Sequence, residues 1–439
     1  MGNKFTKDSL IVGFALFAVF FGAGNMIFPP AIGFMAGSSW VSAFLALLLA
    51  SIVLPMLSIV AVSNAGGSFE ELSKPVGKWF YVSFNLFVMI GVGVLANIPR
   101  TAATTHEMGV MPLFPNVPIQ LTVVVFFALT YYFANDKSNF VDKVGKVLTP
   151  GLILILLLIG VKAFASPLST PAPPQVPNPF SASFIELYFT GDLLTGLLCA
   201  PIFISAIVAK GYTSEVDRKK MTLYASMIAG AGFILVYSGL LYLGAHAGDL
   251  FPADIARTEL LNGLVNLSLG NIGTIGLSIA VSLACLSTAI GLTVALADFL
   301  SSVTKNKISY KVIVAVTCIV GVIIGVIGVE NIISFAGPIF FTVYPPAIVL
   351  TFLGLFKKYV PNDGAYRYAV LIALALGAVK GLSVLGVHIG FIDSFVSALP
   401  FSSQGFEWIL PSIAGFFFGW ILYKVTGKEN VEVNVRRAN

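Results

Sequence analysis

The sequence predicts an all-α polytopic membrane protein with about twelve transmembrane helices. Of its 439 residues, 57% are hydrophobic and only 10% are charged, which is too little charge to cover a water-soluble chain of this length. Residues 9–69 contain no acidic, basic or His side chain, and this run is long enough for two spans of about 20 residues each. These observations exclude a soluble globular fold.

Twelve segments with few or no charges can each form one span. They lie at residues 9–36, 40–63, 78–98, 117–135, 147–166, 188–209, 220–245, 271–300, 311–328, 331–356, 366–386 and 408–424. We expect one transmembrane domain at 1–427 and a cytoplasmic tail at 428–439. Within the domain we expect two repeats, at 8–166 and 188–356, followed by two extra helices at 366–424.

Basic residues predict the orientation of the chain. With a cytoplasmic N-terminus, every Lys and Arg falls on the inside except Arg100 and Arg257 in outer loops and Lys162 and Lys380 near outer span ends. Positive charge is enriched in cytoplasmic loops, so both termini are expected inside. The net charge of +5 is explained by this distribution and does not indicate nucleic-acid binding.

The first span contains two glycines and two prolines in the run FFGAGNMIFPP at residues 20–30. Glycine weakens a helix, and Pro29 and Pro30 cannot donate amides to the preceding turn. We expect the helix to open over Gly22–Met26 and a new half-helix to carry Pro30 in its first turn. Unpaired backbone within a membrane survives where it lines a cavity or binds a ligand. A simple proline kink is the alternative.

The sixth span has a second interruption around Gly191, Gly196 and Pro201. Asp192 is the acid placed inside a span, and such a residue is a functional candidate because burying its charge is costly. The alternative is a carboxylate at the outer end that contacts loop water. Spans 1 and 6 occupy equivalent positions in two sets of five, and interrupted helices at such positions are typical of a transporter site near the midplane.

Span 8 carries two adjacent hydroxyls, Ser287 and Thr288, between small residues. They can coordinate a hard cation, or they can bond to their own helix, as Ser and Thr in membrane helices usually do. Span 10 contains Gly337-Pro338 and Pro345-Pro346, which indicate bends or a gate.

The run FGAGNMIFPP at residues 21–30 resembles the first-span signature of the bacterial branched-chain amino acid:cation symporters (BrnQ-type). Residues 284–293 and the Tyr-Pro-Pro at 344–346 are also similar to that family, and the resemblance covers essentially the whole chain. It implies an inverted-repeat fold like that of the bacterial leucine transporter. It also implies sodium-coupled import of leucine, isoleucine and valine by alternating access.

The resemblance further implies two kinds of site. The substrate carboxylate is expected at the half-helix start near Asn25–Ile27, and the ammonium near free carbonyls of span 6 or near Asp192. Apolar walls are expected from residues such as Phe20, Phe28, Phe189 and Phe203. The expected substrate contacts are Gly22, Ala23, Gly24, Asn25, Met26, Phe189, Gly191, Asp192 and Thr195. The expected sodium ligands are the carbonyls of Ala18, Phe21 and Ala284 and the hydroxyls of Ser287 and Thr288. A second cation site would use Asn25 and Thr190.

Other function classes have less support from the sequence. A proton-coupled transporter of another small amino acid or amine is the nearest alternative, and a membrane-embedded enzyme is a remote one. No HExxH or GxSxG motif occurs, and the three histidines fall in or beside external segments. The expected partners are the amino acid, Na⁺ and the lipid bilayer of a bacterial plasma membrane. We expect no other cofactor or metal, no nucleic acid and no obligate protein partner.

Overall fold

The computed structural model describes residues 2–136 and 154–426. The predicted tail at 428–439 and the first part of the fifth span, residues 147–153, lie outside these ranges. Within them the regular structure is entirely helical. Seven of the described helices are long and apolar enough to cross a membrane, and four shorter helices are also apolar. The predicted all-α membrane fold is therefore confirmed.

Most described helices coincide with predicted spans, but the third span continues past residue 98 and the helix of span 8 begins at Arg257, with a kink at Gly270. Their bounds are α1 Gly2–Phe20, α2 Ala23–Ala36, α3 Trp40–Leu47, α4 Leu54–Ala65, α5 Phe69–Ser73, α6 Lys78–Phe87, α7 Ile98–Thr104, α8 Ile119–Asp136, α9 Leu154–Ala165, α10 Pro179–Glu186, α11 Asp192–Ala209, α12 Glu215–Ala245, α13 Arg257–Val303, α14 Tyr310–Gly325, α15 Val329–Leu355, α16 Asp363–Val384, α17 Gly390–Ser397 and α18 Ile409–Val425. Wider π-helical turns at Leu48–Val53 and Val88–Asn97 join α3 to α4 and α6 to α7. A third π-helical segment, Thr105–Val110, extends α7.

Helix α2 lies at the centre of the bundle. Every residue of α2 except Ala31 and Met35 is buried, which fits a sequence that is apolar on all sides. It packs along α12 and α13. The backbones of α2 and α12 are in close contact. A Cβ added at Gly33 would lie 2.0 Å from the Leu241 carbonyl oxygen, and one added at Gly244 would lie 1.9 Å from the Pro30 carbonyl oxygen. Glycine at both positions lets the two backbones meet.

The last helices lie at the edge of this bundle. Helix α16 packs against α15 and α18, and only 28% of its most apolar segment is buried inside the protein. This position fits the two helices predicted beyond the two five-span repeats.

Two ends of the bundle can be distinguished by their ion pairs. At the end that we call the terminal end, Asp8 of α1 pairs with Lys210 at 3.3 Å and accepts a hydrogen bond from Tyr212 at 3.0 Å. At the opposite end, which we call the far end, Arg257 pairs with Glu186 and Glu330. The helix interruptions lie between these two ends.

Candidate functional site

The first interruption lies between α1 and α2. Gly22 has an extended backbone (φ −120°, ψ −173°), and α2 begins at the next residue. The predicted opening over Gly22–Met26 is therefore too long, and the prediction that Pro30 stands in the first turn of the half-helix is wrong. Pro29 and Pro30 both lie in the interior of α2. Prolines are tolerated inside membrane helices, where neighbouring groups can satisfy the freed carbonyls.

The second interruption precedes α11, and Gly196 and Pro201, to which we expected it to extend, lie inside that helix. A 3₁₀ turn at Leu187–Thr190 ends at Gly191, whose φ of 79° is left-handed. A Cβ there would also lie 3.2 Å from Nδ2 of Asn97. Glycine is thus required by backbone conformation and by space, and it places Asp192 at the start of α11.

The structure joins the two interruptions through one hydrogen-bonded pair. Asn25 donates from Nδ2 to both carboxylate oxygens of Asp192 at 3.0 Å and also to the hydroxyl of Tyr237 on α12. Asn25 and Asp192 are only 3% and 4% exposed. Two predicted substrate contacts that are far apart in sequence are therefore brought together in the interior of the bundle.

Arg100 also reaches this place, although we expected it in an outer loop. It lies in α7 and is 5% exposed. Nη1 donates to the Phe189 carbonyl at 2.6 Å, and Nη2 donates to Oδ1 of Asn97 at 2.9 Å. The loop prediction is wrong because the helix continues beyond Pro99, and every residue of Ile98–Thr104 is buried.

Aromatic rings surround the interruptions in two groups. The rings of Phe28 and Phe189 stack with centroids 6.5 Å apart, and Phe189 meets Phe340 edge-on at 5.6 Å. Phe20 and Phe203 form a separate pair at 6.4 Å. All four predicted wall residues are buried, and the structure pairs them across the helices of spans 1 and 6.

The remaining predicted substrate contacts lie on the same two spans. Ala23 and Met26 are buried in α2, at 3% and 0% exposure. A Cβ at Gly24 would lie 3.1 Å from Nη2 of Arg100. On α11 the Thr195 hydroxyl donates to the Gly191 carbonyl at 3.1 Å, so it bonds within its own helix.

The expected sodium ligands on α1 are two carbonyls that a continuous helix would pair with the amides of Gly22 and Asn25. Here the Gly22 amide donates to Oδ1 of Asn25 at 3.3 Å, and the Asn25 amide donates to the Gly22 carbonyl at 3.1 Å. The carbonyls of Ala18 and Phe21 therefore lose their helical partners. Phe21 is buried, whereas Ala18 is exposed.

The other expected sodium ligands lie on α13 and are half-buried. The Ser287 hydroxyl donates to the Ala284 carbonyl at 2.9 Å, and the Thr288 hydroxyl makes no hydrogen bond to any described residue. A hydroxyl that donates in this way keeps its lone pairs available. The two helices that carry the expected sodium ligands therefore have different main neighbours, since α13 packs along α2 whereas α1 packs mainly along α12.

The expected second cation site pairs Asn25 with Thr190. Thr190 donates to the Leu187 carbonyl at 2.9 Å and accepts from the Asp192 amide at 3.4 Å. Both residues therefore contact Asp192. Within 2–136 and 154–426, no group of three or more His, Cys, Asp or Glu side chains could hold a metal ion.

Ion pairs and hydrogen bonds link several helices at the far end, above the interruptions. Both guanidinium branches of Arg257 are paired, one with Glu186 and one with Glu330, and its amide donates to Glu330 at 2.8 Å. The same guanidinium lies 5.5 Å from the ring centroid of Phe28. On an adjacent helix, Glu107 accepts from the Thr258 hydroxyl at 2.6 Å. These contacts join the starts of α13 and α15 to the ends of α10 and α7.

Replacing Arg257 with Gln is expected to loosen this far-end network. Breaking a partly buried charge pair costs about 2–5 kcal/mol, so amide hydrogen exchange at the starts of α13 and α15 should rise by at least about tenfold. Exchange in α16 and α18 should not change. The control is Glu215→Gln, which removes the exposed pair with Lys219 and should leave the far end unaffected. Equal exchange in the Arg257 variant and the wild type would show that the network does not hold this end closed.

Three residues of the site were not predicted from the sequence as site residues: Arg100, Asn97 and Tyr237. A weak signal for Arg100 was present, because the chain after Pro99 has no acidic or other basic residue as far as His106, so Arg100 stands as an isolated charge. Pro99 led us to end the third span too early. Asn97 and Tyr237 stand in apolar segments with no local mark of their role.

Comparison with known proteins agrees with this arrangement. Residues 5–426 match the family described as branched-chain amino acid transport protein. The branched-chain amino acid permease BraB of Bacillus subtilis is 33% identical over 95% of this chain and 95% of its own. The branched-chain amino acid transport system 2 carrier protein of Pseudomonas aeruginosa is 32% identical over 96% of this chain and 97% of its own.

The fold is also similar to a solved structure. The inward-facing conformation of Mhp1 aligns with a TM-score of 0.61 at 16% identity, covering 95% of this chain and 91% of Mhp1. This likeness confirms the inverted-repeat fold of the leucine-transporter type, and the permease relatives confirm a transporter rather than an enzyme. The chain belongs to the branched-chain amino acid transport protein family.

Proposed function

We propose that this protein is a sodium-coupled symporter that imports leucine, isoleucine and valine across a bacterial plasma membrane. The observation that carries the proposal is the contact between Asn25 and Asp192, which joins the interruptions of two broken helices inside the bundle. Broken helices offer free backbone groups and helix ends to a small charged ligand. The relatives that share the whole chain are named for branched-chain amino acids.

The substrate would lie between the two interruptions. Its carboxylate would face the positive N-terminal end of α2, and its ammonium would face Asp192. The aliphatic side chain would pack against the buried rings of Phe28 and Phe189. A pocket of this kind accepts several aliphatic side chains, because one methylene changes the binding energy by only about 1–3 kcal/mol.

Sodium would be held by the five oxygens on α1 and α13. The released carbonyls of Ala18 and Phe21 and the available lone pairs of Ser287 and Thr288 support this assignment. Neutral oxygens suit a monovalent cation, whereas proton coupling requires a titratable group. Asp192 is such a group, so proton coupling is the second candidate.

The orientation is part of the proposal. We place the terminal end in the cytoplasm because the Lys and Arg residues lie predominantly on that side of the predicted spans. The far end, with its Arg257 network, would then face outward.

Transport in proteoliposomes tests the proposal. Labelled leucine, isoleucine and valine should accumulate when a sodium gradient is imposed at equal pH on both sides. A proton gradient without sodium should produce no accumulation. Accumulation with protons alone would replace sodium coupling by proton coupling, and no accumulation with either gradient would contradict symport of these substrates.

A substitution at Thr288 tests the cation site separately. Thr288→Ala removes one of five ligands and keeps most of the packing, so the sodium concentration for half-maximal leucine uptake should rise roughly tenfold, or about 1.4 kcal/mol. Ser287→Ala should have a smaller effect. By linkage, leucine binding should weaken most at low sodium and recover partly at high sodium.

The matched control is Ser282→Ala on the same helix, whose hydroxyl donates to the Ser278 carbonyl and lies outside the proposed ligands. Leucine affinity is measured across a sodium series for all four proteins. A Thr288 curve that differs from the wild type by a constant factor, or coincides with it, would show that this hydroxyl does not bind the cation.

A further inference from the structure

A buried guanidinium, that of Arg100, lies beside the proposed substrate site and has no carboxylate partner among residues 2–136 and 154–426. We propose that Arg100 binds the carboxylate of the amino acid, opposite Asp192, which binds the ammonium. This inference rests on the proposed function and adds the group that selects a zwitterion over a simple amine.

The hydrogen bonds of Arg100 leave part of its donor capacity unused. Its Nη1 and Nη2 atoms donate to the neutral oxygens of Phe189 and Asn97, and Nε is buried with no hydrogen-bond partner in the described part of the chain. A guanidinium carries five N–H donors in a planar fork that matches a carboxylate. Because Arg100 is only 5% exposed, its charge is largely removed from water, which costs free energy. An anionic ligand that paired with the guanidinium would offset this cost.

Asp192 does not fill that role. Both of its oxygens accept from Asn25, and no direct ion pair joins Asp192 to Arg100 in the described part of the chain. The two charges are nevertheless near each other, because Arg100 donates to the carbonyl of Phe189, three residues before Asp192. The site therefore presents one positive and one negative group, each with neutral hydrogen-bond partners. An amino-acid zwitterion has the complementary pair of charges.

A second positive feature converges on the same place. Gly24, in the first turn of α2, lies so close to Arg100 that an added Cβ would be 3.1 Å from Nη2. Amides in the first turn of a helix lack helical acceptors and carry its positive end. Arg100 and the start of α2 can therefore contact one anion together.

This arrangement predicts strong selection for a carboxylate. A ligand with an amine but no carboxylate would leave the buried guanidinium unpaired, and such mismatches are rejected far more strongly than a missing methylene. The alternative is that Arg100 only supports the Leu187–Thr190 turn through the Phe189 carbonyl. That structural role would weaken the binding of every ligand by the same factor.

The experiment compares leucine with leucinamide, which keeps the ammonium and the side chain but lacks the carboxylate. Binding is measured on purified full-length wild type, Arg100→Gln and Arg100→Lys. Wild type should prefer leucine by about a hundredfold or more. In Arg100→Gln that preference should fall to within about threefold, through loss of leucine affinity with leucinamide nearly unchanged. Arg100→Lys should be intermediate, because an ammonium lacks the planar fork.

The matched control is Arg257→Gln, since Arg257 also lies beside Phe28 but is already paired with two glutamates. It should leave the ratio of leucine to leucinamide affinity unchanged. An unchanged ratio in a folded Arg100→Gln protein that still binds leucine would overturn the inference. Equal wild-type affinity for leucine and leucinamide would also overturn it, even if the Arg100 variants fail to fold. Wild type that binds no branched-chain amino acid would instead contradict the proposed function.

Discussion

Leucine uptake is expected to fall by more than about a hundredfold when Asp192 is replaced by Asn. The buried ammonium of the bound substrate would then lack its proposed charge partner, and removing one partner from a buried charge pair costs about 3–5 kcal/mol. The side chain is 4% exposed and accepts two hydrogen bonds from Asn25. Asn has nearly the same shape, and its amide oxygen can still accept from Asn25. The variant should therefore fold while losing the negative charge proposed to face the ammonium.

The measurement is leucine affinity and initial uptake rate at matched amounts of folded protein, with Asp249→Asn as the control. Asp249 is an exposed carboxylate in the loop after α12, and its replacement should change neither quantity. A different role for Asp192 is stabilisation of the N-terminus of α11, worth about 0.3–1 kcal/mol. In that case Asp192→Asn would lower thermal stability slightly and leave leucine affinity unchanged.

Gly24→Leu is expected to abolish leucine binding. A Cβ at this position would lie 3.1 Å from Nη2 and 3.5 Å from Cζ of Arg100, and 3.5 Å from the Phe28 ring. The remaining atoms of Leu would displace the guanidinium or fill the space between the two interruptions. Overpacking of this kind costs about 1–3 kcal/mol of folding stability, so the protein should remain folded enough for binding assays.

Binding of labelled leucine to purified protein checks this expectation, together with the melting temperature. The matched control is Gly93→Leu, because a Cβ at Gly93 meets no atom within 4 Å. Gly93→Leu should bind leucine normally. Wild-type affinity in Gly24→Leu would show that the first interruption is a structural kink rather than part of the binding site.

The first interruption could be located from the sequence only approximately. Two glycines and two prolines identified the correct eleven-residue neighbourhood, 20–30, since both residue types weaken helices by local chemistry. They did not fix the point of opening. Helix α2 runs through Pro29 and Pro30, and the helical structure is interrupted only at Phe21 and Gly22. Packing around α2 decides which of several weak positions opens.

Arg100 shows a different limit. Hydropathy treats a charge next to a proline as the end of a span, because an unpaired charge in a membrane is costly. In the folded protein that cost is reduced by the Phe189 carbonyl and the Asn97 side chain. Phe189 lies 89 positions away along the chain, so no local pattern around Arg100 could reveal this contact.

The sequence by itself determined the membrane class, the approximate positions of most spans, the presence of two interrupted helices and the choice of Asn25 and Asp192 as candidate site residues. These are local properties, set by hydropathy over about 20 residues and by the backbone chemistry of Gly and Pro. Only the tertiary structure decided that Asn25 bonds to Asp192 across 167 positions, that Tyr237 joins them and that Arg100 lies beside Gly24. Such contacts depend on how distant helices pack, because the environment of a polar group is set by its neighbours in space rather than in sequence.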